Sequence, residues 1–372
     1  MPDGSSVSAL LPGARKGRGA LSNPPVRFES TAREAFDDGW DSLADLAELP
    51  PLPTTLLRER SRSALTYNDS PDIGFDRSIN SYRGCEHGCV YCYVRPSHAH
   101  IGYSPGLDFE TRLLFKPDLP ALLEKELRRP GYVPKPVALG ANTDPYQPVE
   151  RTLLLTRQVL EVLERFSHPV TIVTKSAGVL RDLDILGRMA QRNLVHVCLS
   201  VTTLDPALAR RMEPRAAAPL RRLQAIQALA QAGIPAGVLA APMIPGLNDA
   251  ELERILSESC KAGATRAGYV LLRLPLEIRA MFEDWVRSHF PDRAARILAL
   301  IRETRAGAMY DSRFGTRQTG TGPYADMLAN RFHLAARKLG FGNSRVVSQA
   351  LDCSQFAPPP ETPAPARQLE LL

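Results

Sequence analysis

The sequence predicts an α/β fold, a partial (β/α)6 TIM-like barrel built on parallel strands. Short apolar or β-branched runs beside turn residues mark six candidate strands, at 78–82, 137–141, 170–174, 195–201, 237–244 and 269–274. Between them, apolar residues recur at the three- and four-residue spacing of amphipathic helices, at 119–127, 153–166, 180–191, 220–232 and 252–262. Because parallel strands need crossover helices, six such units predict an open barrel.

The chain divides by composition into four parts. Residues 1–65 are predicted to form a flexible basic N-terminal arm, rich in Gly, Pro, Ser and Arg up to residue 30, with a short helical segment around 36–49. Residues 66–307 form the barrel core. We expect a C-terminal lid over 308–357 and a disordered, proline-rich tail over 358–372.

The charge and the cysteine content limit the classes of partner, compartment and metal site that we expect. The 372 residues carry a formal net charge of +6, compatible with an anionic partner such as nucleic acid. No apolar stretch approaches the roughly 20 residues of a membrane span, and no secretory signal is evident, so we expect a cytoplasmic protein without membrane contact. In that reducing compartment, clustered cysteines indicate metal binding more than disulfides.

Three of the six cysteines lie within eight residues, directly after the first predicted strand. Cys85, Cys89 and Cys92 are soft ligands suited to an iron–sulfur cluster or to zinc. Four-iron clusters normally take four cysteines, so three would leave one iron open to another ligand. The alternative is a zinc site completed by a nearby histidine: His87, His98 or His100.

The spacing C-x3-C-x2-C, with an aromatic residue before the last cysteine, resembles the signature of the radical S-adenosylmethionine (SAM) superfamily. The resemblance implies that Cys85, Cys89 and Cys92 hold a [4Fe–4S] cluster and that the open iron binds SAM. Reductive cleavage of SAM would then give a 5′-deoxyadenosyl radical that abstracts hydrogen from substrate. Tyr91 would lie near the adenine.

Polar residues follow the next strands, at the barrel end where function gathers. Asn142, Thr143 and Asp144 could accept hydrogen bonds from the SAM ammonium, although they could equally form a strand-to-helix turn. Lys175 could pair with the SAM carboxylate, with a solvated loop lysine as the alternative.

Two further strand ends carry candidates. Ser200 and Thr202 offer hydroxyls that could reach the ribose or carboxylate of SAM. Met243 could cradle the adenine, with core packing as the alternative, and Cys198 is interpreted as a small buried apolar residue.

Over about residues 75–310, these motifs resemble the superfamily branch related to spore photoproduct lyase, a DNA-repair enzyme. By that resemblance Lys175 and Ser200 bind SAM, and Tyr91 and Tyr93 line the radical path, with Tyr93 a catalytic residue. The branch uses a cysteine after the second strand as hydrogen donor, and this sequence has none between 140 and 150.

The C-terminal region interleaves Arg, Gly and aromatic residues, as nucleic-acid-binding surfaces do. Arg313 and Arg317 are candidate contacts to phosphates, or to an acidic group of any substrate. We therefore predict a radical SAM enzyme served by a one-electron reductant of flavodoxin or ferredoxin type, with nucleic acid as the candidate substrate. The alternatives are radical modification of a peptide or small metabolite, and a non-catalytic zinc- or nucleic-acid-binding protein.

Overall fold

A computed structural model describes residues 17–28, 52–343 and 351–360. The described residues form eleven β-strands, numbered here in chain order: β1 Thr55–Arg58, β2 Thr66–Tyr67, β3 Arg77–Ile79, β4 Tyr82–Arg83, β5 Arg112–Phe115, β6 Val137–Leu139, β7 Val170–Thr174, β8 Val195–Ser200, β9 Ala236–Met243, β10 Arg266–Leu271 and β11 Gly342–Asn343.

The strands form two sheets. The large sheet has the order β11-β10-β9-β8-β7-β6-β3-β2, and every neighbouring pair is parallel except β2 with β3. The small sheet has the order β1-β5-β4, with β1 parallel and β4 antiparallel to β5. Six consecutive parallel strands, β3 and β6–β10, confirm the predicted partial barrel.

Helices connect the parallel strands. The α-helices are Leu107–Thr111, Leu119–Leu127, Glu150–Leu153, Leu155–Arg165, Leu183–Gln191, Pro206–Met212, Pro219–Gln231, Leu252–Lys261, Ile278–His289, Pro291–Glu303 and Pro323–Lys338. Short 3-10 helices cover Arg95–Ile101, Ala177–Asp182 and Asp249–Glu251. The main core forms where strand side chains such as Ile172 and Val197, both 0% exposed, meet apolar helix side chains such as Leu163 and Leu229. None of the described helices has the length and apolar character of a membrane span.

The first and last predicted strands differ most from the strands of the structure. The first splits, with β3 joining the large sheet and β4 the small one, and the cysteine loop follows β4. The last begins three residues earlier than predicted, because Arg266 and Ala267 pair with Gly237 and Val238 although they lack the expected apolar pattern.

The N-terminal arm differs from its prediction wherever it is described. Residues 17–28 pack on the barrel, with Ala20 only 1% exposed, and they are called the N-terminal strap below. The predicted helical segment at 36–49 lies outside the described residues.

The expected C-terminal lid is part of the barrel. The helix Pro323–Lys338 packs on the helix Leu252–Lys261 and on β10, and β11 then adds to the sheet edge beside β10. The reason is the apolar face of this helix, where Ala325 and Leu328 are buried. The tail from 361 onward lies outside the described residues; before it, Ala357 N donates to Phe166 O at 3.1 Å.

Candidate active site

The three predicted cluster cysteines lie on a loop at the mouth of the barrel. Short backbone hydrogen bonds fix this loop: Cys85 N donates to Phe109 O at 2.9 Å, and Cys92 N to Cys89 O at 3.2 Å. Gly84 needs its positive φ of 79°, and a Cβ there would stand 2.8 Å from Phe109 O. The loop therefore depends on a glycine at position 84.

All three cysteines are free thiols, shielded from solvent to different degrees. Cys85 and Cys89 are each 8% exposed. Burial raises the pKa of the Cys85 thiol well above its ordinary value and that of Cys89 to about 12. Three soft sulfur donors in one loop, two of them buried and Cys92 partly exposed, are a donor set that fits an iron–sulfur cluster.

The same loop gives no support to a single zinc ion. In the part of the chain that the structure describes, no three His, Cys, Asp or Glu side chains converge as ligands of one ion would. Cluster ligands stand further apart because each thiolate binds its own iron. Of the candidate zinc histidines, His87 pairs with Asp144 at 3.3 Å and His98 Nε2 contacts Arg112 O at 2.9 Å.

The N-terminal strap closes the outer side of the cysteine loop. Gly19 N and Ala20 N donate to the two oxygens of buried Glu110, at 3.0 and 2.8 Å, and Arg95 contributes an ion pair at 2.5 Å. Arg95 Nε also donates to Cys89 O at 2.8 Å. Glu110 therefore joins the strap to the cysteine loop.

A buried polar network lies behind Tyr91. Its centre is Glu213, whose carboxylate contacts Tyr91, Thr202 at 2.5 Å, Lys175 at 3.4 Å and Arg222. Burial alone would raise the pKa of Glu213, but the charges of Arg222 and Lys175 outweigh it and hold that pKa well below its usual range. The carboxylate is therefore ionised at neutral pH.

Lys175 lies inside this network and not in open solvent. Its Nζ donates to Thr202 Oγ1 and to Ala241 O, both at 3.2 Å, and it stands 5.6 Å from the centre of the Tyr91 ring. This position brings the ends of β7, β8 and β9 together beside the cysteine loop. The solvated-loop alternative for Lys175 is wrong.

The polar side chains after β6 mostly form hydrogen bonds to other residues of the protein. Asp144 accepts from Thr174 Oγ1 at 2.6 Å, from Lys175 N at 2.7 Å and from Tyr146 N at 2.9 Å. Thr143 is buried and donates to a backbone oxygen of β4 at 3.0 Å. Asn142 is exposed, so it is the member of the predicted trio whose side chain faces solvent.

The remaining predicted site residues lie partly at the rim of the barrel and partly in its core. Ser200 is buried at the end of β8. Met243 is 0% exposed within the main core, which bears out the core-packing alternative. Tyr93 is 43% exposed at the barrel mouth, and its hydroxyl donates to Ala141 O at 2.5 Å.

The predicted phosphate contacts already have partners. Arg313 pairs with Asp311 at 2.9 Å. Arg317 pairs with Asp72 and contacts the Phe314 ring at 4.5 Å. Neither arginine is therefore an unpaired cation available for an anion.

A cavity of about 800 Å³ lies inside the open barrel. Its wall includes Thr171, His196 and Cys198 from neighbouring strands and Tyr269 from β10, and residues of the helix Pro323–Lys338 close the far side. Burial lowers the pKa of His196 to about 4 and raises that of Cys198 to about 12, so both are neutral at pH 7.

Sequence reasoning missed two residues that organise the site. Glu213 carries no local signal in the sequence, because its partner Tyr91 is 122 residues away. Gln147 links the segment after β6 to the cysteine loop: its amide accepts from Glu86 N at 2.9 Å and donates to Gly84 O at 3.2 Å. The contacts of a buried side chain with residues far away along the chain cannot be predicted from the local sequence alone.

A barrel open on one side, with a three-cysteine loop at its mouth, defines a class of protein, and comparisons with known proteins agree. The family model of the radical SAM superfamily matches residues 79–258. An uncharacterized protein of Mycobacterium tuberculosis is 36% identical over 232 residues, which is 62% of this chain and 68% of the relative. One of Methanocaldococcus jannaschii is 28% identical over 173 residues, 46% of this chain and 62% of that protein.

Solved structures show the same fold. Spore photoproduct lyase complexed with dinucleoside spore photoproduct has a TM-score of 0.55 and 16% identity, over 77% of this chain and 80% of that one. A mutant of the lyase with bound AdoMet and the same dinucleoside has a TM-score of 0.51 and 16% identity over the same shares. This chain belongs to the radical SAM superfamily.

Proposed function

We propose that this radical SAM enzyme holds a [4Fe–4S] cluster through Cys85, Cys89 and Cys92 and cleaves SAM reductively. Such a cluster, when bound, supplies the electron that splits SAM into methionine and a 5′-deoxyadenosyl radical able to abstract hydrogen from substrate. The observation that carries the proposal is the loop of three free thiols at the barrel mouth, two of them buried, beside the ends of β6–β9.

The side chains around this loop support a SAM site. Lys175 and Thr202 are held by Glu213 against Tyr91, so a cation and a hydroxyl are positioned before SAM arrives. Preorganised charges cost little reorganisation on binding. We assign the SAM ammonium to Asn142, whose side chain faces solvent, because Thr143 and Asp144 are occupied by protein donors and acceptors.

Three other roles follow from position. Ser200 ends β8 at the rim and would approach the ribose or carboxylate of SAM. Tyr93 lies at the mouth, where it would stand between SAM and the substrate. Met243 supports the site from the core and would not contact the cofactor.

The substrate would enter the cavity of about 800 Å³. Its volume falls within the range of about 300–1,000 Å³ usual for small-molecule sites, which favours a small metabolite or one extruded part of a polymer. If the substrate is a polymer, we propose nucleic acid, because the sequence resembles the lyase branch. Arg313 and Arg317 do not support this proposal, since both are paired with carboxylates. DNA affinity that falls steeply with salt would support it, and a flat salt dependence would favour the metabolite.

The reductant and the compartment complete the proposal. A flavodoxin or ferredoxin would deliver one electron near the cysteine loop. The six free thiols fit a reducing compartment, for which we propose the cytoplasm.

The ligand assignment is tested with Cys89→Ala against Cys260→Ala, a cysteine that donates only weakly to Leu339 O at 3.7 Å. After anaerobic reconstitution, Cys89→Ala should lose the cluster absorbance and most of its iron, while Cys260→Ala keeps both. Full iron content in Cys89→Ala would remove Cys89 from the ligand set.

A further inference from the structure

Two arginines lie at the end of β10 without a carboxylate partner. Arg305 is 2% exposed and spends its donors on backbone oxygens: Nη1 donates to Thr316 O at 2.9 Å and Nη2 to Leu272 O at 2.6 Å. Arg273 follows Leu272 directly, and its charge adds to burial in lowering the pKa of Arg305, so the two guanidinium groups lie near each other in one corner of the barrel mouth.

Neither guanidinium is fully satisfied. Among the described residues, Arg273 Nε and Arg305 Nε are buried and have no hydrogen-bond partner. No carboxylate of the described ranges lies within 4.0 Å of either group, whereas Asp72 and Asp311 are taken by Arg317 and Arg313.

Burying these guanidinium groups without a counter-charge costs free energy unless another interaction compensates the lost hydration. Burial lowers the pKa of Arg305 to about 10, because a desolvated cation loses the stabilisation of water. Buried charges in proteins are normally paired. The corner therefore has a net positive charge, because its neighbouring acids are engaged, and each guanidinium keeps a buried Nε–H without a partner among the described residues.

The corner faces the candidate active site. The guanidinium of Arg273 stacks on the Tyr93 ring at 4.8 Å from its centre, and Tyr93 follows Cys92 directly. Stacking holds the planar fork in one orientation, which suits two parallel hydrogen bonds to an oxyanion.

We propose that Arg273 and Arg305 form an anion-binding subsite for a carboxylate or phosphate group beside the cysteine loop. Arg273 makes the direct contacts, and Arg305 positions the end of β10 and adds positive charge. The anion is either the SAM carboxylate or an acidic group of the substrate. Only this identification of the anion rests on the proposed function, and the subsite itself does not.

The test uses inorganic phosphate as the probe and the reconstituted holoenzyme as the protein. Thermal stability is followed as phosphate replaces chloride at constant ionic strength, in the wild type, in Arg273→Gln and in the matched control Arg279→Gln. Arg279 is exposed on the helix Ile278–His289, six residues after Arg273 in the chain. Iron content and circular dichroism verify that each variant folds, and Arg273→Lys replaces Arg273→Gln if the latter does not.

We expect saturable stabilisation by phosphate in the wild type and in Arg279→Gln. In Arg273→Gln the apparent Kd for phosphate should rise about 10- to 100-fold, the loss expected for a charge-assisted hydrogen bond. Arg273→Lys should lose less, since it keeps the charge but not the fork. An equal response to phosphate in all variants, or none in the wild type, would overturn the subsite.

SAM binding assigns the source. If the anion is the SAM carboxylate, phosphate competes with SAM and Arg273→Gln weakens SAM binding at least about tenfold. If the anion belongs to the substrate, SAM affinity is unchanged and phosphate binds alongside SAM. Phosphate binding does not require SAM cleavage, so failure of the proposed reaction and failure of the subsite give different results.

Discussion

The N-terminal strap should be an integral part of the cluster site, and Gly19→Ala tests this most sharply. A Cβ at residue 19 would lie 1.7 Å from Gly88 O, the carbonyl that precedes Cys89. Real contacts of this kind need about 3.0 Å, so the strap and the cysteine loop must separate by about 1.3 Å.

That separation has a calculable cost. The hydrogen bonds from Gly19 N and Ala20 N to Glu110, now 3.0 and 2.8 Å, would stretch beyond bonding distance. Each bond to a charged group contributes about 1.5–3 kcal/mol. With partial relaxation of the strap, we expect about 2–4 kcal/mol of destabilisation.

The assay is the rate of iron loss to a chelator, together with urea unfolding, for the reconstituted protein. We expect Gly19→Ala to release iron at least about tenfold faster than the wild type. The matched control is Gly17→Ala, because a Cβ there meets nothing within 4 Å and only its φ of 76° is strained. Equal iron retention and stability in the two variants would refute the strap's role.

Three other perturbations test the network and the core. Lys175→Ala should weaken SAM binding about tenfold while iron content stays unchanged, measured by equilibrium dialysis; unaltered SAM affinity would remove Lys175 from the site. Glu213→Gln should cost about 3–5 kcal/mol in urea unfolding because it leaves Arg222 buried without its counter-charge, whereas exposed Glu258→Gln should cost under about 1 kcal/mol. Burial lowers the pKa of His168 to about 4, so the stability it contributes is full above its unfolded pKa of about 6.5 and is lost as the pH falls. Between about pH 7.5 and 5.5 the wild type should lose about 1 kcal/mol more than His168→Gln, and equal losses would contradict the neutral histidine.

Local patterns in the sequence predicted most of the barrel. Strands such as β7 and β8 are buried on at least one face, so they stand out as runs rich in apolar and β-branched residues, and β7 has the predicted bounds. The cysteine loop was also recognisable, because its three cysteines lie within eight residues and their spacing resembles the signature of the superfamily.

Long-range contacts could not be predicted in this way. The strap looks like a mobile arm by composition, yet its partner Glu110 lies 91 residues away from Gly19. Arg313 and Arg317 looked available for phosphate, but Asp72 neutralises Arg317 from 245 residues away. Net charge and local composition do not reveal which cations are already paired.

We propose above that the three-cysteine loop supports reductive cleavage of SAM. The direct measurement is metal content after anaerobic reconstitution, followed by an assay for 5′-deoxyadenosine with dithionite and SAM. We expect about four irons per chain and slow release of 5′-deoxyadenosine. Stoichiometric zinc, no iron and intact SAM would contradict it.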